Sequence, residues 1–260
     1  MKNHKNLTAL IASLGMTAAA HSAVITWGTS VQMYQGDVSD ETFVSTDGTS
    51  LVALNGSDGP NDATVNGVTF VGGVTDTAVT GVGGESITVI TGTNNNGSFQ
   101  DGEYDGSNDI SALIQGGIWG SDRVDFAGLA IGNVYQIQLF GNDARGNRST
   151  NFIGGVGNGT GSGGAVASLQ LNNSPADGSA PTLPQSDVGD YIIGTFTADA
   201  VTQSFDVYGT NSGVIANLAI GDSRAHVNAI QLRGLGPAVP EPSSALLALI
   251  GLSFGLRRRR

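Results

Sequence analysis

Asp101-Gly102-Glu103-Tyr104-Asp105-Gly106-Ser107-Asn108-Asp109 places oxygen donors at relative positions one, three, five, seven and nine around a glycine at six. A loop that wraps a hard cation needs this alternation. Ca2+ gathers roughly six to eight oxygens, and the central glycine permits the sharp turn. Asp101, Glu103, Asp105, Ser107 and Asp109 are therefore candidate Ca2+ ligands. Position twelve, however, is Ala112, where such loops carry a bidentate Glu, and no incoming helix precedes the run. A solvated turn competes with the metal reading. The stretch Asn55–Asp62 is a weaker case, because tight β connections select the same Asn, Asp and Gly residues.

Sugar chemistry has a different candidate. Gly141 to Arg148 follows an apolar run and holds Asn142, Asp143 and Arg145, whose amide, carboxylate and guanidinium groups suit sugar hydroxyls. An Arg/Asp pair that fixes the loop's own shape explains the same residues. Trp119 is the candidate stacking platform, against the alternative that such aromatics fill core or cover a sheet edge.

Enzyme signatures are poor. His226 is the sole histidine beyond residue 23, and it opens a strand-like run with no nucleophile at recognisable spacing, which favours a surface or edge histidine over a base. No GxSxG, HExxH or P-loop occurs. A carboxylate pair for glycoside hydrolysis is a spatial relationship, so the many acidic residues single out no pair. The reading leans away from an enzyme.

These residues must be positioned by strands. From Val24 onward, short β-branched or apolar runs alternate with Gly, Asn, Asp and Ser clusters. In Tyr135-Gln136-Ile137-Gln138-Leu139-Phe140, residues Tyr135, Ile137 and Leu139 share one face and Gln136 and Gln138 the other, predicting a half-buried antiparallel strand. About ten such strands predict an all-β domain, an antiparallel β-sandwich or jelly roll. The helix candidates are Ile110–Ile118 and the flank near Ala165–Leu171. Gly154–Gly164, nearly free of bulky side chains, reads as a mobile loop outside the core.

Composition narrows the partners. The chain has 260 residues, no Cys, and 11 Lys+Arg against 22 Asp+Glu, a formal charge of -11. Nucleic-acid affinity rests on basic groups this chain scarcely has, and disulfides are excluded. Lys2, Lys5 and Arg257–Arg260 lie in the terminal segments, so the body is more acidic still and better suited to a divalent cation.

The termini carry addresses. Lys2, His4 and Lys5 precede an apolar stretch from Leu7 to Ala20 and the small residues up to Ala23, the three-part pattern of a secretory signal over residues 1–23. The body follows over 24–235, a Pro-rich linker over 236–242, and an apolar tail ending in arginines over 243–260. The apolar part, Ser243 to Leu256, falls short of the roughly 20 residues a spanning helix needs, but arginine snorkelling can extend it. The fold expectation thus includes an N-terminal signal helix and a C-terminal transmembrane helix, with an inner-membrane-anchored precursor.

Pro240-Glu241-Pro242, the apolar stretch and Arg257, Arg258, Arg259 and Arg260, in that order at the end of the chain, resemble the PEP-CTERM sorting signal of Gram-negative bacteria. The resemblance covers only the last part of the chain. It implies recognition and cleavage by an exosortase-type enzyme after the secretion machinery has acted, and it implies a place in cell-surface or biofilm-matrix biology. The body is similar, more loosely, to β-sandwiches attached to such signals. The resulting expectation is an exported, non-enzymatic protein of the surface or extracellular matrix that binds polysaccharide. The alternatives are a secreted glycan-active enzyme and a self-assembling envelope protein.

Overall fold

A computed structural model of the chain describes residues 23–34, 41–56, 62–73, 75–98, 113, 116–142, 153–161, 163–170, 187–210, 215–222 and 225–238. In chain order the strands are β1 (Thr26–Trp27), β2 (Val31–Tyr34), β3 (Thr49–Asn55), β4 (Ala63–Val65), β5 (Val68–Gly72), β6 (Val79–Thr80), β7 (Ser86–Ser98) and β8 (Gly116–Ala127). They continue with β9 (Asn133–Gly141), β10 (Ile153–Val156), β11 (Ala167–Gln170), β12 (Asp187–Thr197), β13 (Thr202–Thr210), β14 (Ala219–Ile220), β15 (His226–Val227) and β16 (Ala229–Pro237).

Two sheets form. The first runs β1-β12-β9-β16-β3-β5-β4 with β2 also on β12; the second runs β11-β10-β13-β8-β7-β6, with β14 on β13 and β15 on β8. All described pairings are antiparallel except β3 with β5. The expected all-β sandwich is present, and β16 runs on into the expected linker. The expected signal helix and transmembrane helix are corrected: the described residues form two sheets and contain no helix long and apolar enough to cross a membrane. Residues 1–22 and 239–260, on which those helices were expected, lie outside the described residues.

The period-two pattern drives the packing. Tyr135, Ile137 and Leu139 of β9, Ile230 and Leu232 of β16 and Val52 and Leu54 of β3 meet Val124 and Phe126 of β8, Ile87 and Val89 of β7 and Phe205 and Val207 of β13. Each large side chain removed from water contributes about 1.5–3 kcal/mol before entropy is counted. The alternate residues of β8, Arg123 and Asp125, face out and form a bidentate ion pair at 2.7 and 3.0 Å.

The strand Asn133–Gly141 is not half-buried. Gln136 and Gln138 are buried as well, because residues 41–48 cross the outer face of the first sheet as a strap. Cross-strand register sets Gln231 beside Gln138 and Arg233 beside Gln136. These side chains supply what the strap's backbone needs. Gln138 Nε2 donates to Phe43 O at 2.7 Å, Gln231 Nε2 to Ser45 O at 3.1 Å, Arg233 Nε to Asp47 O at 2.5 Å and Arg233 Nη2 to Gly48 O at 3.1 Å. Ser45 returns the contact through N–H to Gln138 Oε1 at 2.9 Å and Oγ to Gln136 Oε1 at 2.7 Å. Buried amides persist because each finds partners. Burial lowers the pKa of Arg233 from its ordinary value, partly offset by the charge of Asp47.

Two further expectations change. Ala167–Gln170 is strand β11 where a helix flank was expected, and Gly116–Ile118 opens β8. Ile153–Val156, which opens the glycine-rich stretch, is a strand between β11 and β13 in which Gly154, Gly155 and Val156 are buried. A Cβ on Gly155 would meet Ala165 Cβ at 2.9 Å and Ala167 O at 3.0 Å. The glycines therefore permit close packing here. Beyond β10, the chain is fixed by Gly161 N–H donating to the buried Asp206 Oδ2 at 2.6 Å.

Candidate functional site

The two ends of the sandwich differ in kind. At one end, short turns close the strands: Leu129 N–H donates to Val201 O at 3.0 Å, Ala198 N–H to Asn133 O at 2.9 Å and Ala238 N–H to Gly132 O at 2.9 Å. β16 finishes here, so the chain leaves toward its C-terminal segment from this turn end.

The other end collects the long connections. Register places Asn55, Gly141, Asp190 and Ala229 together at the end of the first sheet, with Ser98 and Gly116 at the matching end of the second. The segments 57–61, 99–112 and 143–152 are joined to these strand ends. All three sequence-selected loops therefore start or finish at one end of the fold.

Asn228 organises this end. It stands between β15, paired in the second sheet, and β16, paired in the first, where the chain changes sheets. Its N–H donates to Phe140 O at 3.1 Å, and its O accepts from Gly56 N–H at 2.7 Å. Its side chain accepts from Asn142 N–H at 2.7 Å and donates through Nδ2 to Gly116 O at 2.7 Å. Asn55, Asn142, Asp190 and His226 are buried beside it on the adjoining strand ends. His226, expected at a surface or edge, is 2% exposed.

Of the sequence-selected residues, Trp119, Asn142 and His226 are described, as are Asn55, Gly56 and Asp62 of the weaker loop. Trp119 is half-buried, lies outside both apolar clusters and pairs in register with His226 and Asn95. Gly120 follows at φ 68°, beside a register shift in β7, an irregularity of the kind that re-aims side chains. Asn142 is fully buried, and its backbone anchors the connection after β9. Asp101, Glu103, Asp105, Ser107, Asp109, Asp143, Arg145, Pro240, Glu241, Pro242 and Arg257–Arg260 lie outside the described residues. Among the described residues, no group of three or more His, Cys, Asp or Glu is placed to hold a metal ion. Trp27 packs edge-on against Phe205 with ring centres 5.1 Å apart and donates Nε1–H to Gly157 O at 2.8 Å.

Sequence reasoning passed over Asn228. Its signal is an asparagine between Val227 and Ala229, a polar interruption within an apolar closing run.

Comparison with known proteins identifies the C-terminal segment first. Residues 238–260 match the PEP-CTERM protein-sorting motif, so the chain ends in a signal for export through an exosortase-type sorting system. The expected inner-membrane-anchored precursor is corrected, since the described residues supply no membrane-spanning helix to anchor it. No curated protein matches the chain. Among solved structures, a calcium-binding mutant of Bacteroides uniformis beta-glucuronidase 2 is similar at TM-score 0.42 and 17% identity, covering 70% of this chain and 18% of the enzyme. A Bacteroides uniformis beta-glucuronidase is similar at TM-score 0.39 and 20% identity, with the same coverages. The chain thus spans under a fifth of either enzyme's length, and likeness this slight transfers no activity.

Proposed function

We propose that the body is a polysaccharide-binding module of an exported surface or matrix protein, with the long-connection end as its binding end. Trp119 supplies the stacking surface, Asp143 and Arg145 the hydrogen-bonding groups on the segment anchored at Asn142. Asp101, Glu103, Asp105, Ser107 and Asp109 form its Ca2+ loop. The observation that carries the reading is the polarity of the fold. The long polar connections emanate from one end, and the chain leaves for its sorting motif at the other. A body tethered or delivered by its C-terminal side presents the opposite end outward.

The test is retention of the exported protein on a panel of neutral and acidic polysaccharides, with and without chelator, while new reducing ends are assayed. Retention without release of reducing ends, weakened by chelation, is the expected result. Release of reducing ends makes the body a glycan-active enzyme instead. No retention on any member of the panel overturns the binding reading.

A further inference from the structure

The strap is recognised through its backbone. Carbonyls of Phe43, Ser45, Asp47 and Gly48 accept from Gln138, Gln231 and Arg233, and Val44 O accepts from Asn66 Nδ2 at 2.8 Å. Only Val44, fully buried, and Phe43, stacked near Tyr191 at 6.3 Å, add apolar anchoring. Upstream, the described pairings of β1 and β2 are with β12 alone, at the margin of the first sheet. Residues 23–34 and 41–48 form an N-terminal arm that also inserts Ile25 into the main apolar cluster and Met33 into the second, so that it docks through core as well as edge contacts. They contribute an edge and a cover to a body whose central ladder β12-β9-β16-β3 is complete beneath them.

The arm rejoins that body at Gly48, where φ is 65° and a Cβ would run into Gly234 O. This tight, left-handed corner is what turns the strap back into β3. Glycine takes either sign of φ at little cost, so this corner can also extend, and an extended corner carries the arm away from its own body.

We propose that the N-terminal arm, through residue 48, exchanges between two copies of this chain, each strap lying on the partner's Gln136, Gln138, Gln231 and Arg233. The occupant is a second copy because the row reads main-chain carbonyls in a fixed register with Phe43 and Val44, and an identical strap satisfies both. The docking contacts of Phe43, Val44, Ser45 and Asp47 are kept on exchange. The balance between closed monomer and exchanged dimer is then set by the Gly48 corner and by protein concentration.

The chain has no native cysteine, so engineered ones report without background. Ser45 Oγ lies 2.7 Å from Gln136 Oε1. Full-length single variants Ser45→Cys and Gln136→Cys are mixed, unfolded, refolded at high concentration and oxidised. The expected result is a disulfide heterodimer several-fold above that from Gln136→Cys mixed with Val82→Cys, a fully exposed position. Equal yields overturn the proposal. Light scattering on the unsubstituted chain and on Gly48→Ala, which strains the closed corner, provides a second measure. The variant is expected to hold more dimer, and monomer alone for both at every concentration overturns the proposal.

Discussion

Asn142 and Asn228 are joined by a buried hydrogen bond, Asn142 N–H to Asn228 Oδ1 at 2.7 Å, and the same Asn228 amide donates to Gly116 O across to the second sheet. One side chain thus ties the start of the 143–152 connection to the strand that ends the 99–115 connection. Asn228→Ala leaves a buried N–H and a buried carbonyl without that partner. A loss of about 2–6 kcal/mol is expected, at about 1–3 kcal/mol for each unmet group. For a domain of this size each kcal/mol shifts Tm by about 2–4 °C, so thermal unfolding checks it directly. Asn228→Asp, which keeps the acceptor and loses the donor, should also be destabilising at neutral pH.

Substitution of Trp119 tests the proposed sugar contact apart from folding. It belongs to neither apolar cluster, so Trp119→Ala should change stability by no more than about 1 kcal/mol. If it stacks on sugar, polysaccharide affinity falls by up to roughly tenfold, corresponding to about 0.5–1.5 kcal/mol for an aromatic contact. Affinity electrophoresis beside a melting curve reads both. Unchanged retention with unchanged Tm removes Trp119 from the binding end.

Gly155 tests the packing of the glycine-rich strand. With Ala165 Cβ 2.9 Å and Leu218 Cδ1 3.0 Å from where a Cβ would lie, Gly155→Ala requires neighbours to shift and Gly155→Val requires more. Overpacking of this kind costs about 1–3 kcal/mol. Denaturant midpoints should fall in the order unsubstituted, Ala, Val. A mobile loop would tolerate all three alike.

How far the fold was legible depended on which interactions a local pattern encodes. The inward alternation of Tyr135, Ile137 and Leu139 was visible because burial on one face repeats every second residue. Gln136 and Gln138 read as a wet face for the same reason, and Ser45 of the strap that covers them lies 93 positions from Gln138 and 91 from Gln136. Val156 could be placed in the core only by knowing that β13 pairs with β10, since its neighbours are glycines. Trp119 and Asn142 were selected by residue type, and register sets both toward one end of the fold. Asn228, which organises that end, makes contacts 86 and 112 positions away, beyond any spacing rule.

Gln138 is the position where the strap's dependence on the sheet can be measured. Its Nε2 serves Phe43 O, while its Oε1 accepts both Ser45 N–H and Gln231 Nε2 at 2.7 Å. Gln138→Leu keeps much of the volume and removes all three bonds, leaving Phe43 O and Ser45 N–H facing an apolar side chain. The expected loss is about 2–4 kcal/mol, because the penalty falls on groups already withdrawn from water. Its distribution distinguishes a strap from an integral strand. Amide exchange should accelerate strongly at Ser45 and Asp47 and little at Ile137 and Leu139, whose N–H groups are held by the ladder with β12 and β16. Uniform acceleration across β9 and the strap would mean that residues 43–48 unfold only with the whole sandwich, and that they are no separable cover.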